Sequence, residues 1–354
     1  MHRPLATAGL VAALVVALCA ACGGSESSSS TTQATTTTST GGSGTGTGIS
    51  VGLVTDVGGL NDRSFNFLAN QGLQRAESQL GVRGRVLSSK SGGDYVPNLS
   101  TLAQQHYDLV IGVGFPMAKA MEQVANRFPD VRFAIIDSSQ AAMKTKPQNV
   151  RGLLFEEQEA GYLVGYLAGL LERQQAGAKQ TISSVGGQKI PPVDRYLAGY
   201  RAGALKADPG ITVLNAYSQD FVDQAKCKEL ALDQIARGSD TVFAAARQCG
   251  LGALAAAGEK NAWGIGVDAD RSYLGPHILT SAVKKVDAAV FQTIQQAQAG
   301  GFTGGEDAVF DLASGGVGIG KVSARVPADI VQRVTALEDQ IAAGTVTDIP
   351  TTLP

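Results

Sequence analysis

Leu109-Val110-Ile111-Gly112-Val113-Gly114 is an unbroken apolar run that closes on glycine. A strand with one face in water alternates apolar and polar residues. A run that is apolar throughout suits a strand buried on both faces, in a parallel sheet covered by helices. The flanking segments fit that reading. Upstream, residues 49–55 (ISVGLVT) and 83–88 are short β-rich runs, and residues 64–80 and 95–105 have helical spacing. Downstream, residues 116–128 read as a helix and residues 132–137 (RFAIID) as a fourth strand. Strand and helix alternating in this way build a doubly wound α/β layer.

The series then restarts. Residues 150–155, 180–185, 211–217, 241–246, 262–267 and 278–281 read as strands or extended chain. Helical stretches at 158–173, 192–206, 226–237, 251–260 and 286–298 accompany them. Past residue 48 there is chain for two domains of about 150 residues each. The strand runs end on loops rich in Asp and Gly, among them Asp56, Gly114, Asp137, Gly186 and Asp268. Ligands of parallel α/β sheets bind outside the carboxyl ends of the strands, and two lobes facing each other there form a cleft.

The first 48 residues are not part of that pattern. Arg3 gives a positive start, residues 5–21 are apolar and uncharged, and Ala20 and Ala21 precede Cys22. These are the parts of a secretory signal. The Ala-Ala-Cys ending resembles a bacterial lipobox, with Cys19 standing where Leu is usual. It assigns residues 1–21 to a lipoprotein signal peptide and lipidation to Cys22. Residues 22–48 are almost wholly Gly, Ser and Thr. Such a segment cannot offset its ordering entropy by burial and reads as a flexible tether. The expected location is the outer, extracytoplasmic face of the cell membrane, with the chain held there by a lipid.

Composition narrows the rest. The chain has 44% hydrophobic and 17% charged residues and a formal net charge of -2, so nothing draws it to nucleic acid. Beyond the lipidation candidate Cys22 only Cys227 and Cys249 remain, and a pair in an exported protein favours a disulfide. An α/β helix starts at the sheet edge where its following strand ends, which brings Cys227 near Cys249. The alternative is two buried free thiols. The three histidines, His2, His106 and His277, are far apart in sequence, so no metal site is expected.

Several blocks together resemble the basic membrane lipoprotein family, which includes bacterial purine-nucleoside-binding lipoproteins. They are residues 56–66 (DVGGLNDRSFN) with Gly72, 108–115 (DLVIGVGF), 133–137 (FAIID) and 159–165 (EAGYLVG). Gly186-Gly187, Pro191-Pro192-Val193, Tyr196 with Gly199, 266–270 (GVDAD) and 279–284 (LTSAVK) follow in order. The resemblance implies a type I periplasmic-binding-protein fold, with two doubly wound parallel-sheet lobes around a hinged cleft and three chain crossings. Crossings near Gly152, Pro276 and Gly301 assign residues 49–152 and 276–301 to lobe 1, and residues 153–275 and 302–354 to lobe 2. It also implies a purine nucleoside as ligand and an ABC permease as partner; no cofactor is expected, and the chain is expected to be a monomer.

A nucleoside asks for acceptors at its ribose hydroxyls and aromatic faces for its base. Following the family pattern, Asp268 and Lys284 are candidates for the ribose, and Asp137 for the ribose or base edge. Asp56, Asn61 and Asp62 lie on the first loop. Phe65 and Phe221 are candidates to sandwich the base, and Gly250 to bring backbone close to it. Plain alternatives stand beside these roles. Asn61 and Asp62 suit helix caps, Phe65 suits a core position, and Lys284 beside Lys285 suits a solvated surface. An enzyme is not expected, because no GxSxG, HExxH or phosphate-loop motif is present and His106 and His277 lie outside the strand-end loops. A sugar-like ligand, or a membrane-anchored sensor on the same fold, remain the alternatives.

Overall fold

The computed structural model describes residues 48–174 and 180–354. The signal peptide, Cys22 and all but the last residue of the linker lie outside the described residues. The first lobe begins with β1 (Ser50–Val54), α1 (Phe65–Leu80), β2 (Arg83–Leu87), α2 (Tyr95–Gln104) and β3 (Leu109–Val113). It continues through α3 (Ala118–Arg127), β4 (Arg132–Ile136) and β5 (Val150–Phe155). The LVIGV run is buried at every position, as its lack of alternation requires.

The chain then crosses into the second lobe. There it forms α4 (Glu157–Gln174), β6 (Thr181–Gly186), α5 (Pro191–Ala207), β7 (Thr212–Tyr217) and α6 (Gln224–Ala236). Next come β8 (Thr241–Ala245), α7 (Arg247–Glu259), β9 (Trp263–Asp268) and β10 (Ile278–Lys284). It returns for α8 (Val286–Gln298) and β11 (Glu306–Phe310), and crosses a last time to β12 (Val317–Ile319) and α9 (Ala328–Ala342). The sheets run β2-β1-β3-β4-β5-β11 and β7-β6-β8-β9-β10-β12, the same winding twice. All pairings are parallel except β10 with β12.

The three crossings are present, but each falls later than the sequence placed it. Residues 150–155 all belong to the first sheet, where β5 pairs with β4. Residues 278–284 belong to the second sheet, where β10 pairs with β9, not to lobe 1. Residues 306–310 belong to the first, where β11 pairs with β5, not to lobe 2. A crossing is set by which sheet has an open edge for the next strand, and local sequence does not carry that information.

Helices α4 and α5 pack backbone to backbone through glycines. A Cβ at Gly161 would meet Tyr196 O at 2.2 Å, one at Gly165 would meet Tyr200 O at 2.0 Å, and one at Gly203 would meet Tyr162 O at 2.0 Å. The spacing Gly161, Gly165, Gly169 on one helix faces Gly199 and Gly203 on the other. This is the small-residue seam that lets two helices approach closely. Their glycines weaken each helix by itself, and the packing compensates.

Cys227 and Cys249 form a disulfide with a Cα–Cα distance of 5.6 Å. It joins the first turns of α6 and α7, both at the sheet end that faces the cleft. Among the described residues no helix is long and apolar enough to cross a membrane.

Candidate functional site

In each sheet the winding reverses between the first strand and the third, at β1/β3 and at β6/β8. The crevice of a doubly wound sheet opens at this switch point, beyond the strand ends. Asp56 and Gly114 follow β1 and β3 there. Gly187 and Arg247 follow β6 and β8. Across the cleft the two switch points touch, with Arg247 Nη1 donating to Asp56 Oδ2 at 2.7 Å.

Asp56 is fully buried. Its Oδ1 accepts from the Val57 N–H at 2.8 Å and from the Tyr95 hydroxyl. Tyr95 and Asn66 fix this loop, since Asn66 accepts from the Asp56 N–H at 3.1 Å and donates to the Asp56, Val57 and Gly59 carbonyls. The carboxylate is thus held by its own lobe before Arg247 reaches it.

Phe65 opens α1 and Phe221 lies in the loop between β7 and α6. Both rings are buried. Gly187 has no side chain because the Phe221 ring lies 2.3 Å from where a Cβ would be. Between the rings lies the Arg247 guanidinium, its carbon 4.1 Å from the Phe65 centroid and 4.2 Å from the Phe221 centroid. The two phenyls therefore face a common slot that is one planar group thick. Burial pulls the Arg247 pKa down, but Asp56, Asp268 and Asp137 outweigh it and hold it above its ordinary value.

The other end of the site is polar. Lys284, at the end of β10, donates to Asp137 Oδ1 at 2.5 Å and to Glu157 Oε1 at 2.7 Å. Asp137 belongs to the first lobe and Glu157 opens α4 in the second, so one ammonium ties both lobes. All three are nearly out of solvent. Burial acts to lower the Lys284 pKa, and the two carboxylates more than reverse this. Burial raises Glu157 to about 7 against the pull of Lys284, with Asp137 adding to the rise. Burial also raises Asp137, opposed by Lys284. Two carboxylates share one ammonium, and Arg195 Nη1 lies 3.6 Å from the other Glu157 oxygen, so the negative charge is partly offset there. Nearby, Asp268 ends β9 and accepts from the Ser64 hydroxyl of the first lobe at 2.7 Å.

Asp137, Asp268 and Arg247 have φ of 67°, 63° and 49°. This left-handed region disfavours residues with a Cβ, and Asp tolerates it better than Arg. Such strain gathers where a side chain must be aimed.

Phe65, Phe221, Asp137, Asp268 and Lys284 converge on one cavity, with Asp56 behind Arg247. Asn61 and Gly250 do not join them. Asn61 is exposed on the single turn Leu60–Asp62, and Gly250 packs inside α7 against the Ala244 carbonyl. The Asp62 side chain lies outside what is described. Arg247 and Tyr196 also line this cavity, and Glu157 holds Lys284 beside it; none of the three is a candidate from the sequence. Reading α7 from residue 251 put Arg247 in a loop, four residues before the helix was expected. Tyr196 was noted only as a family match. Its hydroxyl is buried with no partner in hydrogen-bond range, a signal no sequence carries.

Two lobes joined by three crossings, with aromatic and charged side chains converging between their strand ends, define a hinged solute-binding protein. Its solved relatives agree. A crystal structure of ABC transporter solute-binding proteins from Aeropyrum pernix K1 superposes with a TM-score of 0.77 at 26% identity, covering 85% of this chain and 94% of that one. The chain belongs to the Bmp family of PnrA-like ABC transporter substrate-binding proteins, whose family model matches residues 49–348. It is 32% identical over 317 residues to a CD4+ T-cell-stimulating antigen of Listeria monocytogenes, covering 83% of this chain and 86% of that protein. It is 32% identical over 323 residues to the ABC transporter nucleoside-binding protein BmpA of Lactococcus lactis, covering 85% and 89%.

Proposed function

We propose that this substrate-binding protein captures a purine nucleoside between its lobes, as a lipoprotein anchored through Cys22 on the outer face of the membrane, and passes it to an ABC permease. The observation that supports this reading most is the aromatic slot. Phe65 and Phe221 come from different lobes and clasp a flat, delocalised group at 4.1 and 4.2 Å. A base has that shape, and stacking on an aromatic ring contributes about 1–3 kcal/mol per base. Asp268 and Lys284 take the ribose hydroxyls, where charged acceptors and donors make the stronger bonds. Tyr196 lines the same cavity, and its buried, unpartnered hydroxyl can supply a further donor. The relative named as a nucleoside-binding protein has the same family and near-complete coverage.

Contacts from both lobes make closure ligand-dependent, because a ligand shifts the hinge only by its differential affinity for the closed form. The permease then reads the closed shape. The test is a thermal-shift panel of adenosine, guanosine, inosine, cytidine, ribose and adenine. A ligand present at 100 times its dissociation constant stabilises the fold by about 2.7 kcal/mol. Purine nucleosides should raise the midpoint while ribose and adenine do not, and Asp268→Ala should remove the shift. A response to ribose alone would leave a sugar-binding protein and take the base away from the slot.

A further inference from the structure

The slot that a base would enter is held by a side chain of the protein itself. The Arg247 guanidinium carbon lies over both the Phe65 and the Phe221 ring, 4.1 and 4.2 Å from their centroids, and the cavity left beside it is about 30 Å³. That is room for roughly two or three waters and not for a base. We infer that Arg247 is a built-in occupant of the aromatic slot, a specificity-determining residue that any flat ligand must displace. The inference rests on the proposal that the slot takes a base.

Four observations carry it. First, the guanidinium contacts both lobes. It stacks on Phe65 of the first and Phe221 of the second, and its Nη1 is bonded to Asp56 of the first. It therefore bridges the cleft as a bound ligand does. Second, Asp56 is aimed by its own lobe through Tyr95 and Val57, so it forms a ready socket for a cation. Third, Arg247 begins α7 with φ 49°, a conformation that glycine adopts freely and arginine does not. Strain kept in this place is explained by what the side chain does. Fourth, the surrounding charge favours a cation. Asp56 is bonded to the guanidinium, and Asp268 and Asp137 lie close enough to help hold it charged against burial.

Selectivity follows. A ligand must gain more from the two rings than the guanidinium loses, so a larger ring system competes better than a small one. A sugar without a flat face has no means of expelling Arg247. The apparent affinity is lowered by the fraction of protein in which the slot is filled. Released, the guanidinium can stay paired with Asp56, which limits the loss.

The test uses the full chain in detergent, comparing wild type with Arg247→Gly and Arg247→Lys. Glycine suits the left-handed backbone, so that variant relieves strain and should fold. Titration calorimetry with guanosine and inosine should show Arg247→Gly binding about tenfold or more tighter than wild type. Lysine keeps the charge but cannot lie flat between rings, so Arg247→Lys should bind tighter as well. Without added ligand, amide exchange in the loops at 56–66 and 218–224 should be faster in Arg247→Gly, where the bridge is gone, and in Arg247→Lys, where its stacking is lost. Weaker or equal binding by Arg247→Gly would make Arg247 a ligand contact or a bystander and overturn the inference. A lysine variant identical to wild type would assign the bridge to the ion pair alone and also overturn it. If no nucleoside binds either protein, the functional proposal fails. The exchange rates then decide about Arg247 by themselves: unchanged loops overturn its role as a bridge, faster loops sustain it.

Discussion

Replacing Lys284 by methionine keeps the length of the side chain and removes the ammonium between two buried carboxylates. Breaking a buried ion pair by deleting one partner typically costs about 3–5 kcal/mol. Here the stranded carboxylates can take up protons, and that sets a ceiling. Keeping Asp137 neutral costs about 1.36 kcal/mol for each pH unit above its ordinary value of 3.8. That amounts to about 5.7 kcal/mol at pH 8 and about 2.3 kcal/mol at pH 5.5. Glu157, already raised to about 7, is largely neutral at pH 5.5 and adds to the loss only at the higher pH. The sign is that of a carboxyl whose folded pKa lies above its unfolded one. The folded state holds the proton more tightly, so stability falls as pH rises from the unfolded value through the folded value. Lys284 itself titrates above its ordinary value of 10.5 and is charged at both test conditions. Thermal unfolding of wild type and Lys284→Met at pH 5.5 and 8 reads the difference. At roughly 2 °C per kcal/mol for a chain of this size, the variant should lose ~6–10 °C at pH 8 and ~5 °C or less at pH 5.5. An equal loss at both pH values would refute the reasoning, and would mean that the lysine acts through its stem and not its charge.

Further outcomes test the fold around the site. Gly165→Ala sets a methyl 2.0 Å from the Tyr200 carbonyl, so α4 and α5 must part; we expect a loss of about 3 kcal/mol or more in urea unfolding. Gly210→Ala, whose nearest neighbour is a side-chain oxygen at 3.5 Å, should change little in the same assay. Glu172 is buried with one oxygen unpartnered, and burial, helped by Asp240, raises it to about 7. Its ionisation is a cost that grows from pH 4.5 to pH 7, so Glu172→Gln should gain on wild type between pH 5 and pH 8, by up to about 3 kcal/mol. A pH-independent difference would show that the carboxyl does not titrate in this range. Cys227→Ser with Cys249→Ser opens a loop whose ends are 22 residues apart, with an expected loss of about 3 kcal/mol. The Cys249 N–H also bonds the Phe221 carbonyl at 3.0 Å, so ligand affinity should fall along with stability.

Local sequence determined a good deal of this protein. The fully apolar run at 109–113 marks a central strand because both its faces are covered, and it has the same bounds in the structure. The alternation of strand and helix fixed two α/β lobes, and the strand-end aspartates Asp137 and Asp268 marked the end of each sheet where the site lies. Other elements were hidden for a physical reason. Strand β11 is an edge strand of mixed character, half exposed and opening with Glu306 and Asp307. Strand β12 is three residues long and set among Gly315, Gly316, Gly318 and Gly320. Neither needs an apolar pattern, since each is paired on one side only. Only the tertiary structure decided where the chain crosses, because that depends on which sheet edge is open. The same holds for the α4–α5 glycines, which in sequence only weaken two helices and in space allow them to touch. It holds most for Arg247, which is one more polar residue near a glycine in the sequence. Two rings from different lobes and a carboxylate 191 positions away meet around it only after both sheets have formed.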